Sequence, residues 1–392
     1  MGELPLSGVV VISLEQALAA PFATRQLADL GARVIKVERR GGGDFARGYD
    51  ETVRGLSSAF AWLNRSKESI TLDLKHPGGR DVLRRLLANA DVFVQNLAPG
   101  ATRRLGLGAE DLASVNPRLI VCDISGYGST GPYRDKKAYD LLIQGEAGVI
   151  SITGSEEAPA KVGISVADIA GGMYAYSGIL SALLHRERTG EARPVEVSLF
   201  ESLAEWMGYP LYYATSGRGP GRMGTSHPTI APYGTFDTRD GTLLLAVQNQ
   251  REWVRLCAEV LGDPGLAEDE RFSSNSRRVA NRDALESILQ RRFRELDRAA
   301  AVRLLEDAKI AYARVNDVDG LAVHEQLAAR DRWCEVESPV GRLRALLPPG
   351  VPAGLRPRMD PIPELGEHTD AVLGWLGYGH DDIDRMRASE LI

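Results

Sequence analysis

Apolar and polar positions repeat on two different periods along this chain, and each change of period marks an element. Val9-Val-Val-Ile-Ser13 is a continuous apolar run of the kind that fills a strand buried on both faces. Ala20 to Leu30 carries apolar residues at helical spacing and ends on Gly31, a fitting C′ glycine. Arg33–Val37 and Ile70–Leu74 read as the next two strands, and His76 to Ala90 as a helix with Leu83, Leu86 and Leu87 on one face. Val92–Val94 and Leu119–Cys122 give two further strands around a short helix, Ala109 to Ser114. Such alternation implies right-handed βαβ units and a parallel sheet with helices on both faces. The apolar stretch from Met173 to Leu184 predicts a buried helix.

The pattern changes after Leu211. Tyr212 to His227 is rich in Gly, Arg, Ser and Pro and reads as a connector. Tyr233 to Val247 alternates about Asp240-Gly241, which predicts a hairpin. Helical patterns follow at Gln250 to Leu261, Arg282 to Glu295 and Ala299 to Lys309, then a short strand at Ala311 to Val315. A final helix is expected at Thr369 to Leu376. The expected fold class is α/β. A large Rossmann-like, parallel-sheet domain spans residues 1–211, a smaller α+β domain 225–320, and 321–392 returns to complete the large domain.

Composition narrows the function. A chain of 392 residues exceeds what one core holds, which favours two domains. An apolar fraction of 44% and a charged fraction of 26% are those of an ordinary globular protein. A net charge of −6 argues against nucleic acid or an anionic membrane as partner. The cysteines at 122, 257 and 334 lie far apart, which suits a reducing cytoplasm, and neither they nor the six histidines show metal spacing. No apolar run reaches membrane-spanning length. The expected setting is cytoplasmic, with no bound metal.

Basic residues recur where the predicted strands end: Lys36, Arg39 and Arg40; Lys75; Arg103 and Arg104; Arg134, Lys136 and Lys137. The loops beyond the carboxyl ends of a parallel sheet form its ligand crevice, so these cations point to a phosphate-bearing ligand. Gly126-Tyr-Gly-Ser-Thr-Gly131 matches a dinucleotide fingerprint in letters only, because it follows a late strand and runs into loop sequence. Asp168, in Gly163-Ile-Ser-Val-Ala-Asp-Ile-Ala-Gly-Gly172, is the leading candidate for chemistry. Glycines beside a carboxylate let a bulky substrate approach it. The plainer reading is a capping box, with Ser165 as the cap and Asp168 in the first turn. His227 sits in a glycine-bearing connector between domains, where a structural role weighs as much as a functional one.

Gly31-Ala-Arg-Val-Ile-Lys-Val-Glu-Arg39, Asn64 to Lys75, Asn96-Leu-Ala-Pro-Gly100, Tyr139-Asp-Leu-Leu-Ile-Gln144, Val195 to Phe200 and Gly366-Glu-His-Thr369 resemble the class III CoA-transferases over nearly the whole length. The resemblance implies a nucleophile at Asp168 and CoA contacts at Arg39, Leu72, Asp73, Leu74, Lys75, Asn96, Leu97, Ala98, Arg104, Lys137 and Tyr139. It also implies an interlocked homodimer, acyl-CoA as substrate and no permanently bound cofactor. Formyl-CoA transferases carry a glutamine near the end of the first strand, where this chain has Leu18 with Gln16 slightly upstream, which makes formate and oxalate doubtful substrates. The related α-methylacyl-CoA racemases use a histidine where this chain has Tyr139, a poor base at neutral pH. The expected reaction is therefore CoA transfer from an acyl-CoA such as succinyl-CoA to a small dicarboxylate, with backbone N–H groups beside Asp168 or in glycine-bearing loops stabilising the oxyanion. Arg218, Arg222 and His227, with Gln16, are the candidate contacts for the acid. The alternatives are a racemase-type isomerase and a non-catalytic CoA-binding protein.

Overall fold

Six short strands pair in parallel in the order β3-β2-β1-β4-β5-β6: β1 Val10–Leu14, β2 Arg33–Glu38, β3 Lys67–Thr71, β4 Val92–Gln95, β5 Ile120–Ser125 and β6 Val195–Ser198. The structure, a computed structural model, describes residues 3–217, 219 and 221–392. Ile12 of β1 lies level with Ile35 on one side and Phe93 on the other. Because strand side chains alternate, Val11 enters one core and Ile12 the opposite one. The first core is closed by the helices Ala19–Asp29, Val166–Thr189 and Leu199–Trp206, the second by Pro77–Ala88, Thr369–Trp375 and His380–Ala388. The order of strands reverses between β1 and β4. The loops after those two strands therefore flank the crevice position of an open α/β sheet.

This sheet belongs to a unit made of Met1–Val149, Val162–Tyr209 and Ala329–Ile392, which also holds the hairpin β10 Trp333–Val336 and β11 Leu343–Leu346. A second unit comprises Ile150–Lys161 and Pro210–Ala328. Its antiparallel sheet, β7 Tyr233–Thr238, β8 Gly241–Ala246 and β9 Ala311–Arg314, packs with helices around Trp253, Phe272 and Phe293. The segment Ile150–Lys161, expected with the large domain, groups with this second unit.

Three local differences from the sequence reading have physical causes. The third strand begins at Lys67 rather than Ile70, and Leu72 to Leu74 leave the sheet. Lys67 is buried against Glu15, so a charge pair stands where an apolar residue was expected. The long helix, Val166–Thr189, extends well beyond the apolar stretch and is not buried all round: Met173, Tyr174 and Leu184 are exposed. Gly171 and Gly172 do not make room for substrate. A Cβ on Gly171 would lie 2.4 Å from Leu199, and one on Gly172 would lie 2.6 Å from the Ala19 carbonyl oxygen and 2.9 Å from Phe22. The glycine pair lets three helices approach closely.

Candidate active site

Asp168 lies in the first turn of the helix Val166–Thr189. The expected capping box does not form, because the Ser165 side chain makes no capping bond. The cap comes from another element. Asp140 opens the helix Asp140–Glu146, and its Oδ1 accepts from the backbone N–H groups of Ala167 at 2.7 Å and Asp168 at 3.4 Å. Its Oδ2 accepts from Gln144 Nε2 at 2.7 Å, while Gln144 Oε1 accepts from the Val162 N–H at 2.9 Å. The N–H groups of Ala167 and Asp168 are thus already used, so the expectation that those beside Asp168 hold an oxyanion is overturned.

The Asp168 carboxylate is half-buried, and among the described residues nothing donates a hydrogen bond to it. Burial pushes its pKa up to about 7, and the nearby negative charge of Asp140 adds to that rise. Sequence reasoning missed Tyr49, which no motif marks. Its hydroxyl is pushed up to about 12, first by burial and then by the charges of Asp44 and Asp168 and by Tyr139. Tyr49 therefore lies within electrostatic reach of Asp44, Asp168 and Tyr139. Tyr139, immediately before Asp140, is 66% exposed.

The carboxyl ends of β1 to β5 share one edge of the sheet, and the expected CoA contacts follow them. Arg39 comes directly after β2, with Nε donating to the Gly43 carbonyl at 2.8 Å. Beyond β3, Leu72 is buried, Asp73 Oδ1 accepts from the Lys75 N–H, Leu74 is half-buried and the Lys75 side chain is exposed. Beyond β4, Asn96 pairs with the backbone of Gln16 in both directions, each bond 2.8 Å. The loops on either side of the strand-order reversal are thereby fastened together. Leu97 donates its N–H to the Gln95 side chain, and Ala98 and Arg104 are exposed. Lys137 is exposed beyond β5.

Four expected cations are committed elsewhere. Lys36 is fully buried, 2.6 Å from Asp44 and 3.5 Å from Glu15, and Lys67 sits 2.6 Å from the same Glu15. Arg40 pairs with Glu390, Arg134 with Asp135 and Lys136 with Glu146. The expected cations that make no ion pair among the described residues are Arg39, Lys75, Arg103, Arg104 and Lys137.

A sequence model described as CoA-transferase family III matches residues 6–369. The chain belongs to that family. As a family III CoA-transferase it is an enzyme, and its similarity to named relatives covers most of its length. It is 38% identical to a succinate–glutarate CoA-transferase of Agrobacterium fabrum over 95% of this chain and 96% of that one. It is also 38% identical to an acetyl-CoA:oxalate CoA-transferase of Acetobacter aceti over 83% of this chain and 85% of that one. A crystal structure of a CAIB/BAIF family protein from Brucella suis superposes with a TM-score of 0.84 at 36% identity, covering 96% of this chain and all of the other.

For this CoA-transferase the match to a dinucleotide fingerprint fails on geometry as well. Gly126 to Gly131 forms a loop that opens no helix, with the Ser129 N–H bound to Glu196. In the second unit, Arg222 was expected to meet an acceptor carboxylate. Instead its Nε and Nη2 donate to the carbonyls of Ser155 and Glu156 at 2.9 and 2.8 Å, so much of its fork holds a loop. His227 stacks on Tyr233 with ring centroids 5.2 Å apart, and its Nδ1 accepts from the Thr229 N–H. Burial, helped by Arg282, lowers its pKa, which keeps the ring neutral and makes it a donor rather than a cation. Arg218 lies outside the described residues.

Proposed function

We propose that this CoA-transferase moves CoA from succinyl-CoA to a small dicarboxylate of C4 to C6 length, through covalent intermediates on Asp168. One observation carries the assignment of the nucleophile: a half-buried carboxylate with a pKa of about 7 to which nothing donates a hydrogen bond among the described residues. Its ionised form is more basic than an ordinary aspartate and correspondingly more nucleophilic. The carboxylate attacks the thioester carbonyl, expelling CoA thiolate and leaving a mixed anhydride. A thiolate leaves without a general acid, because its conjugate acid has a pKa of about 8.5. The thiolate then attacks the aspartyl carbonyl, which releases the donor acid and leaves an aspartyl thioester. The acceptor carboxylate attacks that thioester, giving a second anhydride, and the returning thiolate takes the acceptor acyl group and frees Asp168. Each intermediate retains the acyl-transfer potential that a serine ester would lose.

Arg39, Lys75, Arg104 and Lys137 bind the CoA phosphates in this reading, with Leu72 to Leu74, Asn96 to Ala98 and Tyr139 lining the nucleotide and pantetheine path. Glycine-bearing loops supply the oxyanion donors. The names of the two relatives support a dicarboxylate, and the Acetobacter enzyme's name adds oxalate to the acids to be compared. The active form in this reading is an interlocked homodimer in the cytoplasm. The exposed Leu141, Leu142, Met173 and Tyr174 support a second copy, and the three unpaired cysteines suit a reducing compartment.

The test is a panel of free acids, including succinate, glutarate, adipate, oxalate and a monocarboxylate, incubated with succinyl-CoA and read by product mass. Hydroxylamine trapping during turnover is expected to modify Asp168, and Asp168→Ala to abolish transfer. Preference for a monocarboxylate removes the substrate assignment. Absence of any exchange with labelled acid favours a CoA-binding protein, and deuterium entering the α-carbon of a 2-methylacyl-CoA in heavy water favours the isomerase.

A further inference from the structure

We propose that Asp140 is a positioning residue that fixes the start of the helix bearing Asp168 and, through its own negative charge, keeps that carboxylate reactive. The inference rests on the reading of Asp168 as nucleophile and deepens it. Its ground is geometric. Asp140 occupies the place of a helix cap that Ser165 leaves empty, holding the N–H groups of Ala167 and Asp168 with one oxygen and Gln144 with the other. Gln144 is itself fully buried and holds Val162. The strap thus grips both ends of the segment that leads into the nucleophile. A cap is ordinarily a neutral or charged side chain of the helix's own sequence. Here it comes from another helix and is an anion within reach of a second anion, an arrangement that costs repulsion.

Most ionisable side chains on the elements packed against the long helix are engaged elsewhere, Glu196 of β6 by the Ser129 N–H among them, while Glu205 is exposed. Arg25 and Asp29 bind each other, Asp29 also binds Arg65, Glu146 binds Lys136, Asp123 binds Gln95 and Glu201 binds Ser198. Tyr49, whose hydroxyl burial pushes up to about 12, is a neutral phenol at pH 7. Asp140 is the charge that burdens Asp168, and it supports the rise caused by burial.

Two substitutions separate its roles. Asp140→Asn keeps an oxygen for the two N–H groups but removes the charge, and Asp140→Ala removes both. The acid limb of the kcat/KM profile is expected to move down by about one pH unit in both variants. In Asp140→Ala alone, plateau kcat is expected to fall at least ~10-fold with little change in KM for acyl-CoA, since a displaced nucleophile loses rate rather than binding. If Asp140→Ala does not fold, the Asn variant still reads the charge. An unmoved acid limb overturns the electrostatic role, and wild-type kcat in a folded Ala variant overturns the positioning role. Hydroxylamine trapping in the wild type keeps the two readings apart. Trapping away from Asp168 removes the nucleophile, whereas trapping on Asp168 with an unmoved limb removes only the role of Asp140.

Discussion

With Asp168 as the proposed nucleophile, reactivity stands against stability at a single residue. An aspartate whose pKa stands at about 7 in the fold, against 3.8 in the open chain, holds its proton more tightly when folded. Between those two values the unfolded chain releases this proton while the folded one retains it, so folding stability falls as pH rises through that window and stays reduced above 7. Asp168→Asn does not titrate. It should therefore lack activity yet unfold later than wild type at pH 8, by on the order of 2 kcal/mol, with the difference shrinking as pH falls from 7 towards 4. Urea denaturation of both proteins at pH 4.5, 6 and 8 checks this. A gap that widens towards acid contradicts the raised pKa.

At the scale of elements, the end of β2 separates two kinds of lysine that one sequence pattern had joined. Lys36, Glu15, Asp44 and Lys67 form a fully buried charge cluster, and Asp44 also accepts from the N–H of Ala17, whose backbone has φ of 61°. Removing one partner strands opposite charges out of water. Lys36→Ala is expected to lose about 3–5 kcal/mol of stability. Lys75→Ala, on an exposed loop, should leave the melting temperature within about a degree while raising KM for acyl-CoA several-fold and KM for the acceptor acid little. Thermal melts with two-substrate kinetics distinguish them. A destabilised Lys75 variant, or equal effects on both substrates, contradicts this division of roles.

For the whole molecule, apolar side chains remain uncovered in the first unit beside the site. Leu141 and Leu142 are about half exposed, on the same short helix as Asp140, and Tyr139 more so. Clustered exposed apolar groups beside the proposed nucleophile fit a partner's footprint. Light scattering is expected to give twice the chain mass of 42.6 kDa, and Leu141→Glu with Leu142→Glu to lower both that mass and activity. A monomeric wild type with full turnover removes the dimer.

The sequence by itself determined the parallel sheet, the hairpin of the second unit and the candidacy of Asp168, because these rest on local periodicity and on matched motifs. Val9 to Ser13 needs no distant partner to read as a buried strand. It could not place what depends on pairing across the fold. The true start of β3 was hidden because Lys67 is made buriable by Glu15, fifty-two positions away. β6 and the β10–β11 hairpin were not read as strands, because Glu196, Glu335 and Arg344 interrupt them and leave no continuous apolar run such as Val92–Val94. Ser165 satisfies the local rule for a cap, yet Asp140 takes that place from another helix. Tertiary structure also decided that Gly171 and Gly172 serve helix contact, and which cations are taken up in ion pairs. Burial and long-range charge set these outcomes, and neither is a property of neighbouring residues along the chain.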